Sequence, residues 1–324
     1  MKLTELILER LSQGGECSGE AIAKEAGVSR AAVWKAIGRL NREGYLIEAT
    51  SGHGYRLRAS EALVPEKIAE ILSHPVQLEV HGTVASTNLE AVRFEGEHPG
   101  RDALIIADAQ TAGQGRLGRS FLSKSSTGLY MTLLLHPIIE ADSATALTVL
   151  AAVATARVLE REAAFSPGIK WVNDLLWQGK KLAGILTKGS VDVESGMLSY
   201  VTVGIGINVC RAQLDPSIRD IATSVEEASG VVLDRGRLAA LITNELLDLM
   251  PLLGSLEIAD EYKHRSVMIG KEIRVIKPDR EYDAVVKDID SRCRLILELE
   301  GGDGEVLATG DVSIRSKPTT SAKL

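Results

Sequence analysis

The chain has 324 residues, 45% hydrophobic and 25% charged, with a formal net charge of −7. That length exceeds one compact core and makes two or three domains the expectation, while the composition excludes a disordered or collagen-like chain. Glu5 and Glu9 exclude a secretory signal at the N-terminus, and the longest apolar run, Ala144 to Ala156, carries three threonines and falls short of a membrane span. Cys17, Cys210 and Cys293 are too few and too scattered for a disulfide framework or a zinc site, so a cytoplasmic protein with no membrane partner is expected.

The charge is unevenly spread. Residues 28–58 hold six Lys and Arg against two Asp and Glu, although the protein as a whole is acidic. Residues 1–60 form the first predicted domain. Leu3, Leu6, Ile7, Leu8 and Leu11 give a first helix one apolar face, ended by Gly14-Gly15. Ser18 caps a short helix from Gly19 to Glu25, and Ser29 caps a third from Arg30 to Arg42, with Val33, Ile37 and Leu40 inward. A hairpin follows, Tyr45 to Glu48 and Tyr55 to Arg58, around a turn carrying His53. This is a winged helix-turn-helix pattern. Ser29, Arg30, Trp34, Lys35 and Arg39 are then the candidates to enter a major groove, with His53 near the backbone. The same fold also serves protein contacts, and the local basic excess favours DNA.

Residues 61–75 read as a linker with a short helix. From 76 to 265, strands alternate with helices: Gln77–Val80, Ala103–Asp108, Gly128–Leu135, Gly168–Trp171, Leu175–Trp177, Lys181–Thr187 and Leu198–Val209, with helices at Ser143–Glu162 and Arg237–Met250. The tight turn Gln178-Gly179-Lys180 makes its two strands antiparallel, so a mixed sheet is predicted. Residues 211–230 read as a mobile loop. Residues 266–316 carry short alternating strands, the pattern of a small β-barrel, and 317–324 form a tail. The fold class is therefore α+β and multidomain.

Gln110-Thr-Ala-Gly-Gln-Gly-Arg-Leu-Gly-Arg119 follows the apolar run 103–107. Glycines let backbone N–H groups approach a ligand, and arginines offer fixed forks for phosphate or carboxylate. The segment satisfies the Gly-x-Gly-x-x-Gly pattern, yet no helix opens after Gly118, so a dinucleotide site is excluded on context. Upstream stands Ser86-Thr87-Asn88. Downstream stand Lys170-Trp171-Val172-Asn173-Asp174, then Lys181-Leu182-Ala183-Gly184, then Gly204-Ile205-Gly206-Ile207-Asn208.

In this order and spacing the set resembles the biotin protein ligases, and with residues 1–60 it resembles the bifunctional form that is also the biotin operon repressor. The resemblance covers roughly residues 1–316. It implies an SH3-like C-terminal domain, biotin, ATP and Mg2+ as ligands, a biotinyl-5′-AMP intermediate, and transfer to a lysine of biotin carboxyl carrier protein. It also implies a homodimer, when loaded, on operator DNA.

Residue by residue, Arg116 matches the arginine that holds the acyl-adenylate, and Lys181 the lysine at the biotin carboxylate and α-phosphate. On their own they would read as an exposed loop arginine and a surface lysine. Ser86, Thr87, Asn88 and Gln110 offer partners for the ureido ring, with Ser86 equally a helix cap. Gly113, Gln114, Gly115, Gly184, Gly204 and Gly206 are assigned to the biotin pocket, the last two because a bare strand lets a ring lie on the sheet. Arg119, Trp171, Asn173 and Asn208 are assigned to the nucleotide. Asp174 is the candidate to orient Mg2+ or the incoming lysine, and no His/Cys cluster reads as a metal site.

Three positions depart from the common pattern: Gln114 for arginine, Val172 for proline and Phe121 for tryptophan. Gln114 leaves the loop one cation short. Two rival readings share the fold or the domains. A lipoate or octanoate ligase would carry an Arg-Arg, Gly-Gly-Gly and His-Asp segment that is absent here. A catalytically inactive biotin sensor would not need Arg116 together with Lys181.

Overall fold

The computed structural model describes residues 3–12, 17–42, 47–50, 54–57, 63–125, 128–210, 214, 216–231, 233–277 and 280–314. Helices α1 (Leu3–Ser12), α2 (Gly19–Ala26) and α3 (Arg30–Arg42) enclose their own core of Ile7, Leu11, Ile22, Val33, Ile37 and Leu40. Ser18 Oγ accepts from Ala21 N–H at 3.0 Å, and Gly27 ends α2 in the left-handed region (φ 65°). Ser29 Oγ accepts from Ala32 N–H at 3.2 Å, so the two helices meet through a turn of Gly27, Val28 and Ser29. β1 (Ile47–Thr50) and β2 (Gly54–Leu57) form the antiparallel wing, tied to the helices where Cys17 and Tyr55 exchange backbone hydrogen bonds of 2.8 Å.

The helix inside the expected linker, α4 (Pro65–Ile71), buries Ile68 in the large core that follows. Next come β3 (Gln77–Val84), α5 (Thr87–Glu97), β4 (Ala103–Gln110), β5 (Gly128–Leu135), α6 (Ala144–Ala163), β6 (Gly168–Lys170), β7 (Asp174–Trp177), β8 (Lys180–Val191) and β9 (Leu198–Asn208). Short α7 (Val225–Ser229), α8 (Arg235–Leu249) and α9 (Leu256–Arg265) complete this domain. The strands make one sheet in the order β3-β4-β5-β9-β8-β7-β6. β3 and β4 are parallel and the other pairs antiparallel, the mixed sheet that the Gln178-Gly179 turn predicts. Both turn residues have positive φ (49° and 79°), the geometry of a tight hairpin.

β4 is apolar at consecutive positions because helices cover both its faces. Leu104 and Ile106 enter the core shared with α6 and α8, whereas Ala103 and Ile105 meet Ala91 and Phe94 of α5. Helix α6 spans 20 residues and is longer than the apolar run in the sequence. By length and composition alone it meets the criterion for a membrane span. Its apolar residues from Leu147 to Leu159 are packed against the sheet, α8 and α9, which makes it the core helix of this domain.

Strands β10 (Glu272–Ile276), β11 (Glu281–Ile289), β12 (Leu295–Leu299), β13 (Gly304–Leu307) and β14 (Asp311–Ile314) form a five-stranded antiparallel sheet in the order β13-β12-β11-β10-β14. β13 and β14 are separated by a short turn that ends at Gly310 (φ 139°). Ile273, Val275, Val286 and Leu295 join the same core as the central domain, so the two pack without an intervening polar layer.

Candidate active site

Helix α5 covers only part of its face of the sheet. The uncovered part is a cleft lined by Thr87 and Asn88 of α5, Gln110, the loop residues Gln114, Gly115, Arg116 and Phe121, and Asn173, Lys181, Gly184, Gly204 and Gly206 from the strand side. Its floor has an unusual composition. Gly184 and Gly206 are register partners across β8 and β9, and Gly204 lies two residues from Gly206 on the same strand face. A Cβ on Gly204 would collide with Asn88 Nδ2, one on Gly206 would lie 2.7 Å from Phe121 Cε1, and one on Gly184 would lie 3.0 Å from Lys181 Nζ. The strip is bare so that three side chains can lie on it, one from the helix, one from the loop and one from β8 itself. Asn88 and Phe121 thus lie over Gly204 and Gly206, the two glycines assigned to a ligand ring.

At one end the cleft is polar and neutral. Ser86 occupies the N-cap position of α5, yet its side chain makes no capping bond. Gln110 does this instead: its Oε1 accepts from Thr87 N–H at 2.8 Å and Thr87 Oγ1 at 3.2 Å. Gln110 Nε2 donates to Ser123 Oγ at 2.8 Å, and Thr132 Oγ1 donates to Thr87 Oγ1 at 2.8 Å. This network leaves Asn88 Oδ1, on the cleft lining, and Ser86 Oγ, outside it, buried with no protein partner. A buried polar group left unpaired costs about 1–3 kcal/mol, so an unpaired acceptor in a cleft calls for a polar ligand.

At the other end the cleft is charged. Lys181 Nζ lies 2.7 Å from Asp174 Oδ1, and Asn173 Nδ2 donates to the same oxygen at 3.2 Å. Arg116 Nη1 donates to Asn173 Oδ1 at 3.3 Å, and its Nη2 donates to the Gly310 carbonyl at 2.8 Å. Lys181 Nζ also stands 5.9 Å from the Phe121 ring centroid, a cation over an aromatic face. Gln114 accepts from Lys188 Nζ at 2.6 Å, so a lysine on β8 brings to the loop the cation that Gln114 leaves out.

Other candidates lie outside the cleft lining. Trp171 is buried in the core and its Nε1–H donates to the Cys293 carbonyl at 2.8 Å, which braces the C-terminal sheet. Arg119 turns to Asp311 of β14. Asn208 Nδ2 donates to the Lys181 carbonyl at 3.4 Å at the end of β9. Gly113 sits where a Cβ would collide with the Phe121 carbonyl, closing the base of the loop. The segment read as a mobile loop holds, among its described residues, a 3-10 turn (Pro216–Ile218) and α7. Its backbone also pairs with Lys181, whose N–H donates to Ile221 O at 2.8 Å and whose carbonyl accepts from Thr223 N–H at 2.9 Å. In the N-terminal domain Ser29, Arg30, Lys35 and Arg39 are exposed and Trp34 is 67% exposed, together on α3 and its cap. His53 lies outside the described residues.

Three family descriptions match in chain order: an HTH domain over residues 4–56, the biotin/lipoate A/B protein ligase family over 83–208, and the biotin protein ligase C-terminal domain over 268–315. The bifunctional ligase/repressor BirA of Bacillus spizizenii is 38% identical over 241 residues, 71% of this chain and 72% of the relative. The chain belongs to the biotin protein ligase family. Another such ligase, the bifunctional ligase/repressor BirA of Escherichia coli, is 28% identical over 96% of both chains, the N-terminal domain included. Among solved structures, the biotin protein ligase from Aquifex aeolicus in complex with biotin and ATP superposes with a TM-score of 0.62 at 25% identity, covering 74% of this chain and 99% of that one.

Sequence reasoning about this ligase missed four participants. Ser123 and Thr132 complete the polar network, and Lys188 and Asp311 hold the loop. None carries a motif, since each acts from another strand or domain 13 or more residues away from its partner.

Proposed function

We propose that this ligase activates biotin with ATP and passes it to one lysine of a biotin carboxyl carrier protein, and that the loaded form represses transcription through its N-terminal domain. In the first step a biotin carboxylate oxygen bonds to the α-phosphorus of ATP as the bond to pyrophosphate breaks. In the second, a neutral lysine amine attacks the acyl carbon, AMP leaves with the bonding pair, and the amine gives up a proton. The reading is carried by one observation: a single cleft holds a neutral polar end with the unpartnered Asn88 Oδ1 and, at the other end, two cations, Lys181 and Arg116.

Ser86, Thr87, Asn88 and Gln110 supply the neutral end, matched to a ureido ring. Lys181 lies where it would stabilise charge on the carboxylate and α-phosphate as they join, and Arg116 would hold the adenylate. Each such donor is worth roughly 10²–10³ in rate. Asp174 orients the Lys181 ammonium and is within reach to accept the proton of the incoming lysine. Gly113, Gln114, Gly115 and Gly184 shape the walls, and Asn173 and Asn208 approach the nucleotide.

Among the described residues no group of three or more His, Cys, Asp and Glu could hold a metal. Mg2+ fits here as an ion carried by the triphosphate, since it commonly keeps waters and takes one or two carboxylates besides phosphates. Asp174 and Asn173 would hold it, and it would neutralise the charge that pyrophosphate carries away.

For repression, the basic face of α3 suits one major groove, and a two-fold operator requires a homodimer of the loaded ligase in the cytoplasm. Ligand would promote this pairing only by binding the pairing-competent state better.

The test is incubation of the full chain with biotin, ATP, Mg2+ and an apo carrier domain, read by mass. One biotin-sized gain on the acceptor lysine, absent with lipoate or octanoate, supports the reading. Gain with lipoate alone would overturn the substrate, and no gain with biotin still bound would leave a ligand-sensing DNA-binding protein.

A further inference from the structure

The glycine loop is braced from a distant part of the chain. Phe121 N–H donates to the Gly113 carbonyl at 2.8 Å and Gly115 N–H to the Arg119 carbonyl at 2.6 Å, closing a narrow hairpin with Arg116, Leu117 and Gly118 at its tip. The two arginines that flank this tip reach consecutive residues of the C-terminal domain. Arg116 Nη2 donates to Gly310 O at 2.8 Å, and Arg119 Nη2 donates to Asp311 Oδ2. Asp311 is held in place by the sheet. Asp311 pairs with Ile276 in the sheet, its other oxygen accepts from Val312 N–H at 3.1 Å, and its side chain is only 14% exposed.

The partners differ in kind. Arg116 donates to two neutral acceptors, Asn173 Oδ1 and Gly310 O, so neither contact neutralises its charge. Arg119 donates to a carboxylate, and a phosphate would have to displace that carboxylate to engage it. Arg119 is also absent from the cleft lining, whereas Arg116 is part of it. Its side chain is 63% exposed, so the ion pair adds little to fold stability and its effect is on geometry.

We propose that Arg119 and Asp311 form a strut from the C-terminal domain that positions Arg116, so that Arg119 is a positioning residue and not a ligand of the nucleotide. The inference rests on the reading of the cleft as an adenylation site. It makes the C-terminal sheet part of that site through Asp311 and Gly310, 194 residues along the chain from Arg116 in the second case.

Adenylate formation by the full-length protein is compared for wild type, Arg119→Gln, Asp311→Ala, the double variant and the reversed pair Arg119→Asp/Asp311→Arg. Trypsin cleavage after Arg116, a site that every variant keeps, is followed in parallel. The strut predicts that each single variant loses roughly tenfold or more in kcat with biotin affinity unchanged. It also predicts that the double variant is no worse than either single, that the reversed pair recovers most of the loss, and that the tip is cleaved faster in both singles. Arg119→Gln alters an exposed side chain, which keeps the comparison open if Asp311→Ala folds poorly. A large loss in ATP affinity for Arg119→Gln, with none for Asp311→Ala, would make Arg119 a phosphate ligand and overturn the proposal. So would wild-type rates and cleavage in all variants. If wild type itself forms no adenylate, the reading of the cleft fails, and the cleavage pattern still decides the strut.

Discussion

Lys181 Nζ reaches Asp174 Oδ1 at 2.7 Å over the bare backbone of Gly184. The register does not place the two opposite each other: Asp174 pairs with Gly184 and Lys181 with Leu176, with an irregularity between Leu175 and Leu176. The lysine arm crosses this step along the space that a Gly184 side chain would fill. Two charged residues from neighbouring strands are thereby fixed by a glycine.

Gly184→Ala tests that relation. Its Cβ would lie 3.0 Å from both Cε and Nζ of Lys181, so the flexible amine must give way while the strand stays in place. The expected loss is about tenfold in adenylation rate, or about 1.4 kcal/mol, with the unfolding midpoint nearly unchanged. Equal rates for variant and wild type would show that the ion pair does not set the position of the amine.

Gly204→Ala acts at the opposite end. The added methyl would collide with the Asn88 amide, which lies at the start of α5 beside the unpartnered Ser86 Oγ. Biotin affinity is expected to fall by roughly tenfold or more, since a displaced buried acceptor costs about 1–3 kcal/mol. Calorimetric titration with biotin alone checks it, and unaltered affinity would remove Asn88 from the ureido contacts.

Much of this was legible in the sequence, and the limits have physical causes. β5 runs over 128–135 as predicted because burial on both faces leaves an unbroken apolar run. The Gln178-Gly179 hairpin was equally plain from its turn chemistry. Helix α5 was visible only as a cap at Ser86, because just Ala91 and Phe94 supply its apolar contacts and its other face carries charges. Helix α9, with Ile258, Ala259 and Tyr262 buried, gave too thin a stripe to read. In the site, Arg116 and Lys181 were found by motif, whereas Asp311 was invisible because its role depends on a contact between domains. The tertiary partner of Trp171, the Cys293 carbonyl, was equally invisible, since it lies 122 residues away.

The proposed repression would act through α3. Lys35→Ala removes an exposed cation from that helix and should leave ligation intact. Operator affinity should fall, and the salt dependence of binding should weaken by about one unit of slope if Lys35 meets a phosphate. Fluorescence anisotropy across a salt series reads both. Unchanged affinity at every salt concentration would place the DNA contact elsewhere.

Acid stability has its own marker in Glu261, which joins α9 to α6. Burial raises its pKa, but Arg157 (Nε to Oε2, 3.0 Å) and Arg265 (Nε to Oε1, 2.9 Å) more than reverse this and hold it below the usual carboxylate value. A depressed folded pKa contributes stability that is present above the unfolded value and lost as pH falls through the folded one. The unfolding midpoint should therefore stay level from pH 7 to about 5 and drop below about 4.3. Glu261→Gln should be less stable at pH 7 and show a shallower acid decline. A parallel decline in both proteins would remove Glu261 from the acid response.

The most direct measurement is single-turnover formation of biotinyl-5′-AMP from biotin and ATP with no acceptor present, in wild type and Lys181→Ala. The charged end of the cleft predicts adenylate in the wild type and a rate reduced by roughly 10²–10³ in the variant, with biotin binding retained. Adenylate formation at the same rate in both would contradict the assignment of this cleft as the place where the acyl phosphate is made.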